Sequence, residues 1–114
     1  MRVTSSLFVS AVIRQETAKG GYCAIVKKGA SEAGAIFFVH RKPDGANDLY
    51  GPAPQVSFDD DQPDERRFEQ LIESADQQET DQILDRQISF DPDCWIVEIE
   101  SRNQLVSITV VEQD

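Results

Sequence analysis

Cysteine and histidine are scarce in this 114-residue sequence, which contains only Cys23, Cys94 and His40. The two cysteines lie far apart, without a CxxC pair or a Cys/His cluster. This pattern excludes a disulfide framework and a tetrahedral zinc site, and it predicts reduced thiols. From these residues we expect neither a metal site nor a cofactor.

Long hydrophobic runs are also missing. The longest extends from Leu7 to Ile13 and is interrupted by Ser10, whereas a transmembrane helix needs about 20 apolar residues. Arg14 and Glu16 follow directly, and there is no small-residue cleavage site, which argues against a signal peptide. By elimination, we expect a cytoplasmic protein that does not bind membranes.

Basic residues are the minority, because 11 Lys and Arg face 21 Asp and Glu and the formal net charge is -10. Residues 1–42 carry seven bases and two acids, whereas residues 43–114 carry four bases and nineteen acids. Such an acidic chain has poor affinity for nucleic acid. The segregated charges instead suit a protein partner that binds through charged surfaces.

The apolar content predicts a single domain over residues 1–114 that opens with a helix. Apolar side chains make up 39% of the sequence, enough for one core at this length. Between Ser5 and Lys19 they recur at helical spacing, and Gly20-Gly21 provides a C-terminal stop. The β-forming residues of this segment also allow a strand, but the polar continuation after Ile13 favours the helix.

Two strands are expected next, over residues 22–28 and 35–42, joined by a glycine-bounded loop. If they pair as an antiparallel hairpin, Ile25 lies opposite Phe38. Both faces of this hairpin are apolar, which predicts a sheet covered on each side by other elements.

A turn at residues 43–46 leads into a third strand from Asn47 to about Gly51. This strand completes a three-strand meander and brings Arg41 near Asp48. The prolines that follow cannot donate a backbone hydrogen bond, so the end of the strand lies at an edge or in a loop.

Residues 59–87 combine many acids with regularly spaced apolar residues, and they predict two amphipathic acidic helices. The apolar stripes are Phe68, Leu71, Ile72 and Ala75 in the first helix, and Ile83, Leu84 and Ile88 in the second. Pro63 suits the first position of the first helix, and Thr80 is the expected cap of the second. One bent helix is the alternative.

The last segment predicts a C-terminal β-hairpin, with strands from Trp95 to Glu100 and from Leu105 to Val111. Trp95, Val97 and Ile99 share its apolar face. The elements together predict an α+β fold: an N-terminal helix, the meander, two acidic helices and this hairpin, layered on a mostly antiparallel sheet.

Three local patterns resemble a phosphate-binding loop, a catalytic Cys-His pair and a cation site. In each case a purely structural role for the residues is the better interpretation. Gly29 and Gly34 are spaced as in a phosphate-binding loop, but the Lys-Ser/Thr pair and the following helix are missing. The hairpin register places His40 opposite Cys23, as in a Cys-His nucleophile, although a lone histidine in a strand is usually structural. The acids at 59–61, 64 and 65 fit a charged helix entrance better than a cation site.

Polar residues near the predicted strand ends form a candidate ligand site. They are Arg14, Arg41, Asp48, Tyr50, Asp93 and Trp95. If these side chains converge beside an apolar wall, the protein is a small-molecule-binding protein or an enzyme with a polar pocket. Because no catalytic constellation is complete, we favour a second hypothesis, a small noncatalytic interaction or regulatory protein with segregated basic and acidic regions.

Four segments of the chain resemble a small bacterial family. They are the helix ending in Ala-Lys-Gly-Gly, the run Lys-Lys-Gly-Ala-Ser-Glu-Ala-Gly-Ala-Ile-Phe, the stretch Asp-Leu-Tyr-Gly-Pro-Ala-Pro, and the late Phe-Asp-Pro-Asp-Cys-Trp-Ile-Val-Glu-Ile-Glu. In combination they are similar to domain of unknown function 1491 (DUF1491), a family associated with alphaproteobacteria. The resemblance implies a short, stand-alone cytoplasmic protein with a layered α/β fold, and it supplies no activity. The family motif usually has an aliphatic residue where Cys94 stands, which argues against a thiol role there.

Overall fold

The computed structural model describes residues 3–54 and 66–112, which form two helices and six strands. In chain order the elements are α1 (Ser5–Ala18), β1 (Tyr22–Lys27), β2 (Ile36–Arg41), β3 (Asn47–Pro52), β4 (Arg67–Ala75), α2 (Gln77–Phe90), β5 (Trp95–Glu100) and β6 (Thr109–Val111). The acids at 59–61, 64 and 65, and the expected helix start at Pro63, lie outside the described residues. Neither described helix is long and apolar enough to cross a membrane.

The six described strands form one mixed sheet in the order β1-β5-β2-β3-β4-β6. Neighbouring strands are antiparallel in three pairs, β1 with β5, β2 with β3 and β3 with β4. They are parallel in the other two, β2 with β5 and β4 with β6. The predicted α+β class on a mostly antiparallel sheet is therefore confirmed.

Each face of the sheet has its own apolar core. The face beneath α1, called the α1 face, buries Val9 and Val12 of the helix with Phe38, Tyr50, Phe68, Val97, Ile99, Leu105 and Ile108. The opposite α2 face buries Phe37, Val39, Leu49 and Ile96 against Ile83, Leu84 and Ile88 of α2. The central strands are thus covered on both sides, as their two-sided apolar pattern predicts.

The predicted first helix is present, and its ends have clear physical causes. The Thr4 hydroxyl accepts a hydrogen bond from Leu7 N at 3.2 Å, which caps the start of α1. The chain leaves the helix through Gly20, whose φ of 95° is in the left-handed region that favours glycine. Gly21 N then donates to the Glu16 carbonyl oxygen at 2.9 Å.

The predicted hairpin between β1 and β2 is wrong, because β5 lies between them. Ile25 of β1 and Phe38 of β2 both pair with Val97 of β5, one on each side. The two-sided apolar pattern correctly predicts that β2 is buried, but it fails for β1, an edge strand of the described sheet on which Ile25 and Val26 are exposed. Here a strand from much later in the sequence takes the central position.

The hairpin from β2 to β3 forms as predicted, and Gly45 in its turn has a φ of 87°. Its register pairs Arg41 with Asn47 and His40 with Asp48. Successive residues of a strand point to opposite faces, so Arg41 and Asp48 lie on different faces of the sheet. Arg41 is thus one register position from Asp48, as expected, but the two side chains do not face each other.

The first of the two predicted acidic helices is a strand, β4, over its described part. The second is a helix, but it begins earlier than expected, because Asp76 is its N-cap and accepts from Glu79 N at 2.8 Å. Thr80 is not the cap; it is buried in the first turn, where its hydroxyl donates to the Asp76 carbonyl oxygen at 2.8 Å. Asn47 Nδ2 donates to the same hydroxyl at 3.2 Å.

The predicted C-terminal hairpin is also wrong. After β5 the chain covers the α1 face, where Leu105 and Ile108 are buried, and β6 then pairs in parallel with β4. The shared apolar face of Trp95, Val97 and Ile99 is confirmed, since all three lie in the α1-face core.

Candidate functional site

The structure does not bring the six predicted ligand residues into one pocket. Because β2 and β5 are parallel, with Ile36 opposite Trp95 and Arg41 opposite Glu100, Arg41 and Trp95 lie at opposite ends of these strands. Five residue steps along a strand cover roughly 16 Å. Asp93 lies at the Trp95 end, just before β5. Ligand binding by a smaller subset of the six stays a prediction.

At the Trp95 end, the polar groups hold a loop against the start of β5. Trp95 is buried, and its Nε1 donates to the Ala30 carbonyl oxygen at 2.8 Å. Ala30 N donates to the Asp93 carbonyl oxygen at 2.9 Å. A Cβ atom on Gly29 or Gly34 would lie 2.3 or 2.5 Å from that same oxygen. The two glycines therefore permit close backbone packing, and this requirement accounts for their spacing.

Asp48 and Tyr50 are both buried; Asp48 pairs with His40 near the Arg41 end of β2, and Tyr50 pairs with Phe38 near the middle of that strand. Asp48 Oδ1 lies 3.0 Å from Lys42 Nζ and accepts from Ser74 N at 2.8 Å. Burial raises the pKa of Tyr50, and the negative charges of Asp48 and Glu73 raise it further. Both side chains are thus engaged in the local structure.

Cys23 and His40 do not form a dyad. Each pairs with Ile99, from strands on opposite sides of β5, so their backbones are about 10 Å apart at the usual strand spacing. His40 Nε2 donates instead to the Ser101 carbonyl oxygen at 3.1 Å. Burial raises the pKa of the Cys23 thiol, which disfavours the reactive thiolate.

Sequence reasoning missed Glu16, a carboxylate that is only 2% exposed. Its Oε2 accepts from Ser107 N at 3.2 Å and from the Ser107 hydroxyl, and it lies 3.8 Å from Lys19 Nζ. These contacts tie α1 to the segment between β5 and β6. The sequence does contain a sign that Glu16 is buried, because Glu16 continues the helical spacing of Val9 and Val12.

A cleft of about 410 Å³ lies at the carboxyl ends of β2 and β5. We call it the basic cleft; its lining residues are Lys19, Gly20, Tyr22, Arg41, Pro43, Glu100, Ser101, Arg102 and Asn103. Tyr22, Glu100 and Arg41 form a row across β1, β5 and β2. Three bases and one acid therefore line a cleft in a chain whose net charge is -10.

Arg41 is the best-anchored base of this cleft. Its Nη2 donates to Gln77 Oε1 at the start of α2 and lies 3.4 Å from Glu98 Oε2. Its Nε is buried and makes no hydrogen bond to the described residues. The side chain is thus held in place while retaining an unused donor.

Strand β1 begins at the basic cleft and is the edge of the described sheet. Three large side chains are exposed along it: Tyr22 at 72%, Ile25 at 48% and Val26 at 60%. The register with β5 shifts between Ile25 and Lys27, so only the first part of the strand is regular. Exposed apolar residues along an edge strand provide a surface for pairing with another chain.

The basic and acidic parts of the chain neutralise each other only in part. Ion pairs between described residues connect the two parts, including Arg41 with Glu98 and Lys42 with Asp48. Arg14 and Lys28 are exposed, and neither forms an ion pair with a described residue. Basic surface therefore remains at α1 and just after β1.

Comparisons with known proteins identify close structural relatives. A family model described as protein of unknown function (DUF1491) matches residues 3–108. The solution structure of protein Atu0922 from A. tumefaciens is 47% identical, with a TM-score of 0.87 over 100% of this chain and 98% of that one. The crystal structure of a DUF1491 family protein from Caulobacter crescentus is 26% identical, with a TM-score of 0.78 over 98% and 100% of the two chains. A comparison with curated proteins finds no match.

Proposed function

The chain belongs to the DUF1491 family, whose function is unknown, and we propose that it is a small noncatalytic interaction protein that binds an extended segment of another protein along β1. The observation that carries this proposal is the outer edge of β1, which pairs with no other described strand and exposes Tyr22, Ile25 and Val26. An added strand satisfies backbone groups along such an edge, while alternate side chains provide selectivity.

Charge favours an acidic partner. Lys19 precedes β1 and Lys28 follows it, and both are exposed. Acids that flank an extended apolar segment would meet these bases at the two ends of the strand. In a chain whose net charge is -10, these two bases favour this edge as the place where an acidic segment binds.

A second copy of this chain is a poorer occupant of the same edge. Two β1 strands paired antiparallel would bring Lys28 of one copy near Lys19 of the other, which places like charges together. Each copy also carries a net charge of -10, and this disfavours association at low salt. We therefore propose that the partner is a different protein.

The noncatalytic part of the proposal is supported by the arrangement of reactive groups. The thiol of Cys23 and the imidazole of His40 lie on strands separated by β5, and burial raises the pKa of the thiol. The second thiol, Cys94, is buried, and burial raises its pKa as well. Neither cysteine has the lowered pKa that nucleophilic catalysis requires.

A cytoplasmic location, without nucleic-acid or membrane binding, completes the proposal. Both cysteines are free, and a reducing compartment maintains free thiols. The net charge of -10 disfavours binding to the phosphates of nucleic acid.

The test is a titration with a designed extended peptide, alternating Val and Thr and flanked by Asp at both ends. We expect binding that weakens as salt is raised, because charges at the ends contribute. Two control peptides separate the contribution of charge from that of backbone hydrogen bonds. One has Lys in place of Asp, and the other has alternate backbone nitrogens methylated to block strand pairing. Both should bind at least about tenfold more weakly.

Protein variants locate the surface. Val26→Asp should weaken binding of the acidic peptide about tenfold, because it removes apolar surface and adds a like charge. Leu7→Asp makes the same charge change at another exposed apolar residue, on α1, and should leave the affinity unchanged. Equal effects of the two variants, or equal binding of the methylated peptide, would contradict binding at β1.

A further inference from the structure

The basic cleft gathers bases from three separate elements. Lys19 is the C-cap of α1, Arg41 ends β2 and Arg102 follows the end of β5. Long-range folding is needed to bring these residues together, because they are widely separated in sequence. Glu100 is the one acid among the residues that line the cleft.

We propose that the basic cleft binds a small molecule through a phosphate group. Phosphate carries up to two negative charges and presents acceptor oxygens in several directions, which suits bases that arrive from three elements. A single carboxylate is planar and is satisfied by one guanidinium fork. The cleft volume of about 410 Å³ falls within the range of roughly 300–1,000 Å³ that is usual for small-molecule sites.

Each base contributes in a different way. Arg41 is held by Gln77 and Glu98, so its position is set before any ligand arrives. Arg102 is exposed and has no ion pair with a described residue, so its full hydrogen-bonding capacity is available. Lys19 Nζ lies 3.8 Å from Glu16 Oε2, which is a long contact for an ion pair.

Tyr22 and Glu100 also affect which ligands the cleft can bind. The Tyr22 ring is 72% exposed and lines the cleft, where it offers a flat apolar surface to an organic group attached to the phosphate. Glu100 lies between Tyr22 and Arg41 in the row across the strands. Its negative charge opposes anion binding, so removing that charge should strengthen the binding of phosphate.

The experiment is an NMR titration of the full chain at constant ionic strength, with inorganic phosphate, phenyl phosphate and benzoate as probes. We expect millimolar phosphate to shift resonances of the cleft residues, phenyl phosphate to bind more tightly because of Tyr22, and benzoate to bind most weakly. Benzoate binding as tight as phenyl phosphate would overturn the choice of phosphate.

Three variants separate a specific site from general charge attraction. Arg102→Gln should weaken phenyl phosphate binding about tenfold, with Arg102→Lys restoring part of it, and Glu100→Gln should strengthen it. Arg14→Gln removes an exposed base of α1 and should change nothing. Equal weakening by Arg14→Gln and Arg102→Gln, weakening by Glu100→Gln, or no shifts in the cleft would overturn the proposal. Peptide binding along β1 is measured separately, so either proposal can fail alone.

Discussion

Cys23 and His40 lie opposite the same residue, Ile99, from the two strands that flank β5. This arrangement separates a thiol and an imidazole that would be neighbours in a simple hairpin. Because burial raises the pKa of Cys23, we expect its alkylation near neutral pH to be slower than that of an unfolded peptide with the same sequence.

The control for this prediction is His40→Gln. If His40 does not activate the thiol, the variant alkylates at the wild-type rate, as measured by mass spectrometry over time. A rate that falls in the variant, or that follows the titration of a histidine, would show that the two side chains communicate.

Glu16 is expected to stabilise the fold by holding Ser107 against α1. Glu16→Ala should cost about 1–3 kcal/mol in the free energy of unfolding, because hydrogen bonds to a buried charged group are lost. Denaturant titration of Glu16→Ala, Ser107→Ala and the double variant measures the coupling, expected at about 0.5–3 kcal/mol.

Glu32→Ala is the matched control, since it removes an exposed carboxylate and should change stability by less than about 0.5 kcal/mol. Additive effects of Glu16→Ala and Ser107→Ala would contradict a direct interaction between them.

The apolar pattern predicted which residues are buried better than it predicted their secondary structure. Phe68, Leu71, Ile72 and Ala75 have the spacing of a helix, yet they lie in β4. The pairing of β4 with β3 is irregular in two places, between Asn47 and Leu49 and between Leu49 and Tyr50. Extra residues at these irregularities interrupt the period of two, so the strand imitates helical spacing.

Strand neighbours could not be read from local pattern. Sequential strands are usually adjacent, and that rule gives β2–β3 correctly but fails for β1–β2 and β5–β6. The basic cleft depends on the insertion of β5 between β1 and β2, because it brings Glu100 between Tyr22 and Arg41. Of the cleft residues, only Arg41 was among the predicted site residues.

Ionisation of Tyr50 should reduce the free energy of unfolding at alkaline pH. Its pKa in the folded protein is raised above the ordinary value of 10.0, so the unfolded chain loses this proton first as the pH rises. The stabilising contribution is therefore present below about pH 10 and is lost as the pH rises through the folded pKa.

The measurement is the free energy of unfolding of the wild type and Tyr50→Phe from neutral to alkaline pH. The variant lacks the ionisable hydroxyl, so its stability should fall less steeply above pH 10. Parallel curves for the two proteins would contradict a raised pKa at Tyr50.

Gly29 should tolerate substitution poorly. In Gly29→Ala the new Cβ would lie 2.3 Å from the Asp93 carbonyl oxygen, and relieving this clash should cost at least about 1–3 kcal/mol. Gly45→Ala provides the comparison, because its Cβ meets nothing within 4 Å and the cost is only the left-handed backbone, about 1–2 kcal/mol. Gly29→Ala should lose more than this, because its Cβ clashes with backbone atoms of both Asp93 and Cys94. Thermal unfolding of both variants measures the difference, and equal losses would contradict the packing role of Gly29.

The most direct test of the proposed function is amide hydrogen exchange along β1, with and without the Asp-flanked peptide. An added strand forms hydrogen bonds with alternate backbone groups of the edge, so alternate amides between Tyr22 and Lys27 should become at least about tenfold more protected. Protection confined to other parts of the chain, or β1 amides that exchange equally fast with and without the peptide, would contradict strand addition at this edge.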